Sequence, residues 1–283
     1  MSVAGRRRRT GGMWAATVGI VGLALLGVAQ PTWLLAGKRS FSYGPYAETR
    51  LDLFRPRLAH GACPAVLVLH GGGWRMGSRS DMVRRVCLPY LRRGFVVANA
   101  DYRLTPSARA PAAVVDGRAA LAWLQEHAAS IGVDPSQLVV TGESAGAYLA
   151  LMAALPRAGA RPVAAVVDFY APVDLADLLQ GVRARDYARE WLAGADTATV
   201  RQLSVLPAVD ASFPPTVIVH GDADQEIAPS QSARLAAALE QAAVPFRLVT
   251  VSGAGHGGWT TRQLDHAYDE VFAFLSEQGV RRR

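Results

Sequence analysis

The sequence predicts an α/β fold, in which a mostly parallel sheet carries helices on both faces. Short apolar runs rich in β-branched residues alternate along the chain with longer segments whose apolar residues recur at helical spacing. The run AVLVLH at 65–70 ends in glycines and is typical of a buried strand, whereas 230–243 has the period of a helix. Such alternation is characteristic of parallel strands joined by helical crossovers.

The individual elements follow from these two periods. Residues 41–54 carry alternating apolar and aromatic residues and predict an opening hairpin or edge strands. The other predicted strands are 65–70, 95–100, 138–141, 163–169, 216–220 and 246–251. The predicted helices are 81–93, 111–129, 145–155, 230–243 and 264–277. A mixed stretch at about 171–213 breaks the rhythm and predicts a small cap insertion after the sixth strand.

The N-terminal region has the composition of a targeting segment. Residues 1–12 include four consecutive arginines, and residues 13–37 contain no charged side chain. A basic segment before an apolar run indicates export, with the N-terminus in the cytoplasm. We expect 13–37 to be a transmembrane anchor or a signal peptide, with a buried helix as the alternative. Residues 38–283 would then form a single α/β domain outside the cytoplasm, attached to the cell membrane or secreted after cleavage.

The net charge of +7 is a property of the chain ends. Four arginines lie at 6–9 and three at 281–283, so the rest of the chain is close to neutral. A neutral body gives no reason to expect a basic face, and nucleic-acid binding is therefore not expected.

The two cysteines, Cys63 and Cys87, do not have the spacing of a metal site. In a right-handed crossover, the start of a strand and the end of the following helix lie at the same edge of the sheet. Two separate buried thiols and a disulfide in the exported protein are both open, and the disulfide is the prediction that the fold can test.

The pentapeptide GESAG at 142–146 follows a predicted strand and opens a predicted helix. This is the setting of a nucleophile elbow, a sharp turn with small neighbours that exposes a serine hydroxyl. Ser144 is therefore the candidate nucleophile, and the helix N-terminus behind it supplies oriented N–H groups. The alternative is a serine that caps a helix at a tight turn.

A second glycine-rich motif, HGGGW at 70–74, follows an earlier strand. Three glycines let backbone N–H groups approach a ligand closely, as an oxyanion hole requires. A phosphate-binding loop is the alternative, although the lysine of a G-K-[ST] motif is missing. We expect His70 to hold this loop by hydrogen bonds rather than to act as a base.

A serine hydroxyl becomes a good nucleophile only when a base takes its proton. Three histidines follow Ser144 in the sequence: His220, His256 and His266. His256 lies in a glycine-rich loop directly after the last strand, whereas His220 ends a strand and His266 lies within a helix. His256 is therefore the candidate base.

The base in turn needs a carboxylate that fixes its tautomer. Asp222 and Asp224 both follow the penultimate predicted strand, between the serine and the histidine as the expected chain order requires. Asp224, which is further from the strand end, is predicted to reach His256. Asp222 is predicted to brace the turn by accepting backbone N–H groups.

Five motifs occur in order along the chain: HGGGW at 70–74, DYRL at 101–104, GESAG at 142–146, HGDAD at 220–224 and GAGHG at 253–257. Together they resemble the hormone-sensitive-lipase-like esterases of the α/β-hydrolase fold, in particular their acetyl-esterase and feruloyl-esterase-like branch, over about residues 40–280. The resemblance implies a serine carboxylesterase that acts on a small-molecule ester by acyl transfer, without a metal or organic cofactor. It also implies an oxyanion hole formed by the N–H groups of Gly72, Gly73 and Ala145.

The resemblance implies further structural roles and one departure. The residues expected to brace or pack around the site are Asp101, Tyr102, Arg103, Asp116 and Trp123. Larger lipases of this kind carry an N-terminal helical cap, whereas here only 38–50 lie between the apolar segment and the first strands. The lid is therefore expected from 171–213, which favours small acyl groups over long ones.

Two other functions remain open from the sequence. A serine aminopeptidase of this fold binds a free amine with acidic residues, and the region of Asp177, Arg183 and Asp186 leaves that possibility. A catalytically inactive ligand-binding protein of this fold usually lacks one of the three catalytic residues, whereas all three candidates are present here.

Overall fold

The computed structural model describes residues 36–57, 61–181 and 185–281. Within these ranges eight strands form one sheet in the order β1-β2-β4-β3-β5-β6-β7-β8. They are β1 (Ala36–Ser42), β2 (Arg50–Pro56), β3 (Cys63–Leu69), β4 (Val96–Ala100), β5 (Val133–Glu143), β6 (Ala165–Phe169), β7 (Thr216–Gly221) and β8 (Phe246–Val251). The pairs β1–β2 and β2–β4 are antiparallel, and the other neighbours are parallel. The predicted fold class and opening hairpin are confirmed.

The central strands are apolar on both faces. Every residue of β3 is buried, as expected for a parallel strand covered on both sides. Because side chains alternate along a strand, Leu67 belongs to the core on one face, and Val66 and Val68 belong to the core on the other.

The described helices cover both faces of this sheet. They are α1 (Leu88–Arg92), α2 (Ala112–His127), α3 (Ala145–Ala154), α4 (Leu175–Gln180), α5 (Arg185–Trp191), α6 (Thr197–Leu203), α7 (Ser230–Gln241) and α8 (Thr261–Glu277). Buried residues of α2, α3 and α7 share the core of Leu67, whereas those of α1 and α8 share the core of Val66.

The helix predicted at 81–93 is not one regular helix. It consists of a 3₁₀ turn (Arg79–Met82), a π-helical turn (Val83–Cys87) and the short α1. Pro89 has no N–H and cannot donate to the carbonyl of Arg85, four residues earlier. That carbonyl instead accepts a hydrogen bond from the Tyr268 hydroxyl at 2.9 Å. The proline and this outside donor together account for the irregular backbone.

The cap insertion lies between β6 and β7, as predicted. It comprises α4, α5, α6 and a 3₁₀ turn (Leu206–Ala208). Trp191 of α5 is fully buried and stacks on Trp74 of the HGGGW loop, with ring centroids 4.4 Å apart. The Tyr148 hydroxyl donates to the Leu203 carbonyl at 2.7 Å. These contacts attach the cap to the loop and to α3, the two elements that flank the candidate nucleophile.

Of the two alternatives for Cys63 and Cys87, the structure has two separate buried thiols, and the predicted disulfide is wrong. Both cysteines are buried, free thiols. Cys63 at the start of β3 faces the core of Leu67, whereas Cys87 packs in the core of Val66. The crossover brings the two elements to one edge, but the sheet separates the two side chains. Burial raises the pKa of the Cys87 thiol.

The predicted apolar segment 13–37 lies outside the described residues, apart from its last two positions. Ala36 and Gly37 belong to β1, where they pair with Pro56 and Arg55. The segment was therefore predicted to end too late, and the sheet begins before residue 38. Among the residues that the structure describes, no helix has the length and apolarity needed to cross a membrane.

Candidate active site

Ser144 occupies a strained turn between β5 and α3. Its φ of 55° and ψ of −121° lie in a region that side chains rarely adopt. A Cβ at Gly146 would overlap the carbonyl oxygens of Leu69 and His70, so the turn requires glycine there. The Ser144 N–H donates to the Phe169 carbonyl at 2.9 Å, which fixes the turn against β6.

Three loops bring the predicted catalytic residues together at the carboxyl ends of the parallel strands. His256, in the loop after β8, has its Nε2 3.0 Å from the Ser144 Oγ. Its Nδ1 lies 2.7 Å from Oδ2 of Asp224, which follows β7. His266 is an exposed residue of α8. The arrangement allows a proton to pass from the serine to a histidine that a carboxylate orients.

Asp224 is buried and surrounded by donors. Its Oδ1 accepts the N–H groups of Glu226 at 2.8 Å and Ile227 at 3.1 Å. Burial by itself would raise the pKa of Asp224, but hydrogen bonds from His220, His256 and the Ile227 N–H hold that pKa well below its ordinary value. The carboxylate therefore stays ionised across the neutral range.

Sequence reasoning treated His220 only as a rival base, and its contact with Asp224 was missed. The structure places its Nε2 3.1 Å from the Asp224 Oδ2. Asp222 accepts the Gly253 N–H at 2.7 Å and so links the two loops, in accordance with its predicted bracing role. The four-residue spacing of His220 and Asp224 was the signal available in the sequence.

The three residues predicted for the oxyanion hole lie beside the serine. Gly72, Gly73 and Ala145 line the same cavity as Ser144. Gly72 and Gly73 have φ values of 113° and 61°, which glycine adopts without strain. A Cβ on Gly73 would come within 2.8 Å of the Tyr187 ring in the cap, so this loop and α5 are in close contact.

His70 holds the HGGGW loop instead of reaching the serine. Its ring stacks on Tyr102 with centroids 4.2 Å apart, and its Nδ1 lies 2.8 Å from the Gly71 carbonyl. The Tyr102 hydroxyl donates to the His70 carbonyl at 2.7 Å. Burial lowers the pKa of His70. These contacts agree with the bracing role predicted for His70 and Tyr102.

The other residues with predicted structural roles are held by polar or aromatic contacts and do not line the cavity that contains Ser144. Asp101 accepts the Arg79 N–H at 2.6 Å. Arg103 binds Asp116 through two nitrogens, at 2.9 and 2.7 Å. Trp123 packs against Phe41, with ring centroids 5.0 Å apart.

A cavity of about 570 Å³ opens above the serine, within the size range of ligand pockets. Arg85 and Glu143 form an ion pair on its wall, with Arg85 Nε 2.7 Å from the Glu143 Oε1. Sequence reasoning missed this pair. Glu143 ends the buried strand β5 and is itself buried, so its carboxylate needs a cationic partner. The only signal in the sequence was its position between an apolar strand and the serine.

The acidic residues considered for an aminopeptidase already have partners. Asp177 accepts from the Gln231 amide and binds Arg234, each at 2.6 Å. Asp186 lies 3.9 Å from Arg189. Arg183 lies outside the described residues. Within the described ranges, no group of His, Cys, Asp and Glu side chains has the arrangement of a metal site.

The parallel sheet, the strained serine between strand and helix, and the serine–histidine–aspartate contacts define an α/β-hydrolase. More narrowly, the chain belongs to the BD-FAE family, whose model matches residues 51–239. The predicted resemblance to this group of hydrolases is confirmed.

Several proteins similar to this chain are esterases by name. Carboxylesterase NlhH of Mycobacterium tuberculosis is 35% identical over 145 residues, which are 50% of this chain and 44% of that protein. A truncated carbohydrate esterase from gut microbiota is structurally similar, with a TM-score of 0.75, 25% identity and coverage of 87% of this chain and 98% of that one. Butyrate-bound Est2 of Thermogutta terrifontis has a TM-score of 0.73 and 27% identity, covering 86% and 95%. The chain spans about half the length of the curated relatives that it matches.

Proposed function

We propose that this chain is a serine carboxylesterase that hydrolyses short-chain acyl esters by a Ser-His-Asp acyl-enzyme mechanism. The observation that carries the proposal is the pair of contacts made by His256, 3.0 Å from the Ser144 Oγ and 2.7 Å from the Asp224 Oδ2. Both the geometry and the chain order are those of a nucleophile, its base and the group that orients the base.

In the first half of the reaction, His256 Nε2 takes the proton of Ser144 as the Oγ bonds to the ester carbonyl carbon. The carbonyl oxygen becomes an oxyanion, which the N–H groups of Gly72, Gly73 and Ala145 stabilise. When the intermediate collapses, the bond to the alcohol oxygen breaks, and that oxygen takes the proton from His256. The acyl group remains on Ser144.

In the second half, water takes the place of the alcohol. His256 removes a proton from the water, whose oxygen attacks the acyl carbonyl carbon. The bond to the Ser144 Oγ then breaks, the serine recovers its proton from His256, and the carboxylic acid leaves. Throughout the cycle Asp224 accepts the Nδ1–H of His256 and stabilises its imidazolium form.

The preference for short acyl chains rests on the cap, which is small and lies close to the HGGGW loop. The cap helices have six or seven residues each, and Tyr187 of α5 packs on the loop that carries Gly73. A structure similar to this chain, Est2 of Thermogutta terrifontis, has butyrate bound, which is a short-chain carboxylate.

A panel of p-nitrophenyl esters with Ser144→Ala tests the proposal. Acetate and butyrate esters should give a higher kcat/KM than the decanoate ester, and Ser144→Ala should lower kcat by about three orders of magnitude or more. Ser252→Ala, which changes an exposed serine, is the matched control and should retain activity. Retention of more than about a tenth of kcat by Ser144→Ala would refute the mechanism. A higher kcat/KM for decanoate than for acetate would refute the acyl preference.

A further inference from the structure

His220, at the end of β7, has partners at both ring nitrogens although its side chain is only 3% exposed. Its Nδ1 lies 2.6 Å from the Ser232 hydroxyl of α7. Its Nε2 lies 3.1 Å from the Asp224 Oδ2 and 3.1 Å from the Ile227 carbonyl. A buried polar side chain with this many partners is held in one orientation.

The partners determine which nitrogen carries the hydrogen. A carboxylate and a carbonyl oxygen only accept, so the Nε2 of His220 is the donor. The Ser232 hydroxyl can then donate to Nδ1, which fits the tautomer with its hydrogen on Nε2. Ser232 thus donates a hydrogen bond to His220, and His220 donates one to Asp224.

The Asp224 Oδ2 is shared by two histidines. His256 Nδ1 approaches it at 2.7 Å from one side, and His220 Nε2 approaches it at 3.1 Å. Two backbone N–H groups occupy Oδ1. Without His220, the Asp224 Oδ2 would keep only its hydrogen bond to His256. More of the negative charge on that oxygen would then act on His256.

We propose that His220 is a positioning residue, which fixes the Asp224 Oδ2 for His256 and weakens the attraction of that carboxylate for the imidazolium form of His256. This role rests on the hydrolysis proposed above. His220 does not line the cavity described above and touches none of the reacting atoms, so it acts through Asp224.

Other titratable groups surround His220 and enter the design of the test. Asp168 on β6 interacts electrostatically with the ring, and burial raises the pKa of Asp168 to about 7. The ring of Tyr170 lies 6.2 Å from that of His220, and burial raises the pKa of its hydroxyl well above the ordinary value. Asp224 remains ionised. Asp168 is therefore the neighbour of His220 that loses its proton near neutral pH.

The test compares two amide replacements. In His220→Gln the amide reaches the position of Nε2 and can still donate to Asp224, whereas in His220→Asn it reaches only the position of Nδ1. We expect His220→Asn to lower kcat about tenfold or more with KM little changed, and to move the acid limb of the kcat/KM profile upward by about one pH unit. His220→Gln should stay close to wild type in both respects. The same comparison in an Asp168→Asn background removes the titration of Asp168 and should give the same shift.

Equal losses in the Gln and Asn variants, or an unmoved acid limb in His220→Asn, would overturn the proposal. Circular dichroism and thermal unfolding show whether each variant is folded. If the Asn variant does not fold, ¹⁵N-histidine NMR of the wild type decides, because His220 must carry its hydrogen on Nε2, and a hydrogen on Nδ1 alone contradicts the role.

The same NMR separates this proposal from the proposed function. Wild-type protein without ester hydrolysis, or Ser144→Ala with full activity, would refute the esterase mechanism whatever the His220 variants do. The pH at which His256 loses its proton is read from its ¹⁵N shifts without substrate. That pH should be higher in His220→Asn than in His220→Gln, and identical values refute the positioning role alone.

Discussion

Two carboxyl groups lie buried near the ends of neighbouring strands, and their pKa values are shifted in opposite directions. Asp224, after β7, accepts two backbone N–H groups and two imidazole nitrogens. Asp168, in β6, accepts the Ala171 N–H at 2.8 Å, and its Oδ2 has no hydrogen-bond partner within the described part of the chain. Burial raises the pKa of Asp168 to about 7, whereas the donors keep the pKa of Asp224 well below its ordinary value. Burial therefore does not decide the charge of a carboxylate; the number of donors facing it does.

The largest effect is expected from Asp224→Asn. The amide carries no negative charge to stabilise the imidazolium of His256, and its NH2 group cannot accept the Nδ1–H at the position of Oδ2, so kcat should fall by about three to four orders of magnitude. Steady-state kinetics with p-nitrophenyl acetate measure the loss, and circular dichroism verifies the fold. A decrease in kcat smaller than about tenfold would mean that the hydrogen bonds to Asp224 stabilise the fold but do not contribute to catalysis.

An intermediate effect, on stability, is expected from Asp168→Asn. Asp168 keeps its proton in the folded chain up to about pH 7, but loses it in the unfolded chain near the ordinary pKa of 3.8. Between these values the folded state binds more protons, so its free energy of unfolding falls as the pH rises. Asparagine has no proton to lose. The difference in free energy of unfolding, variant minus wild type, should therefore increase by about 2–4 kcal/mol from pH 4 to pH 8.

Urea unfolding at several pH values checks the prediction for Asp168. A difference between variant and wild type that does not change with pH would show that Asp168 is ionised in the folded protein. Its carboxylate would then resemble that of Asp224, and the contrast between the two would be lost.

The smallest effect is expected from Asp222→Asn. Asp222 is exposed and two residues from Asp224, and the asparagine Oδ1 can still accept the Gly253 N–H. An exposed substitution of this kind changes stability by about 0.5 kcal/mol or less, and kcat/KM should stay within about twofold. The pair Asp222→Asn and Asp224→Asn thus compares one chemical change at two positions of a single loop. Similar losses in both would show that the loop, and not the buried carboxylate, governs activity.

The features that could be predicted are those that depend on residues close together in the sequence or on the order of the elements. The period of the apolar residues located the strands of the sheet, and a serine between strand and helix identified the turn at Ser144. Chain order and loop position then selected Asp224 and His256, which the structure places within hydrogen-bonding distance of each other. Each of these inferences needs only the residues within one element or the order of the elements.

The contacts that sequence reasoning missed join segments that are distant in sequence. Arg85 reaches Glu143 across 58 residues, and Tyr268 reaches Arg85 across 183. The argument for the two cysteines considered only the edge of the sheet, whereas the face also decides whether they meet, since a one-residue step along a strand reverses the side of the sheet. The spacing of apolar residues in the sequence does not indicate which polar side chains from distant segments form contacts.

The π-helical turn before Pro89 has a consequence for comparing related sequences. A π-helical bond spans five residues instead of four, so this turn holds one residue more than an ordinary helical turn. Relatives with a regular helix at this place should show a one-residue gap opposite 83–87. An alignment without that gap would place Arg85 opposite the residue next to its true counterpart in the relative. An ion pair that the relative retains would then appear to be lost.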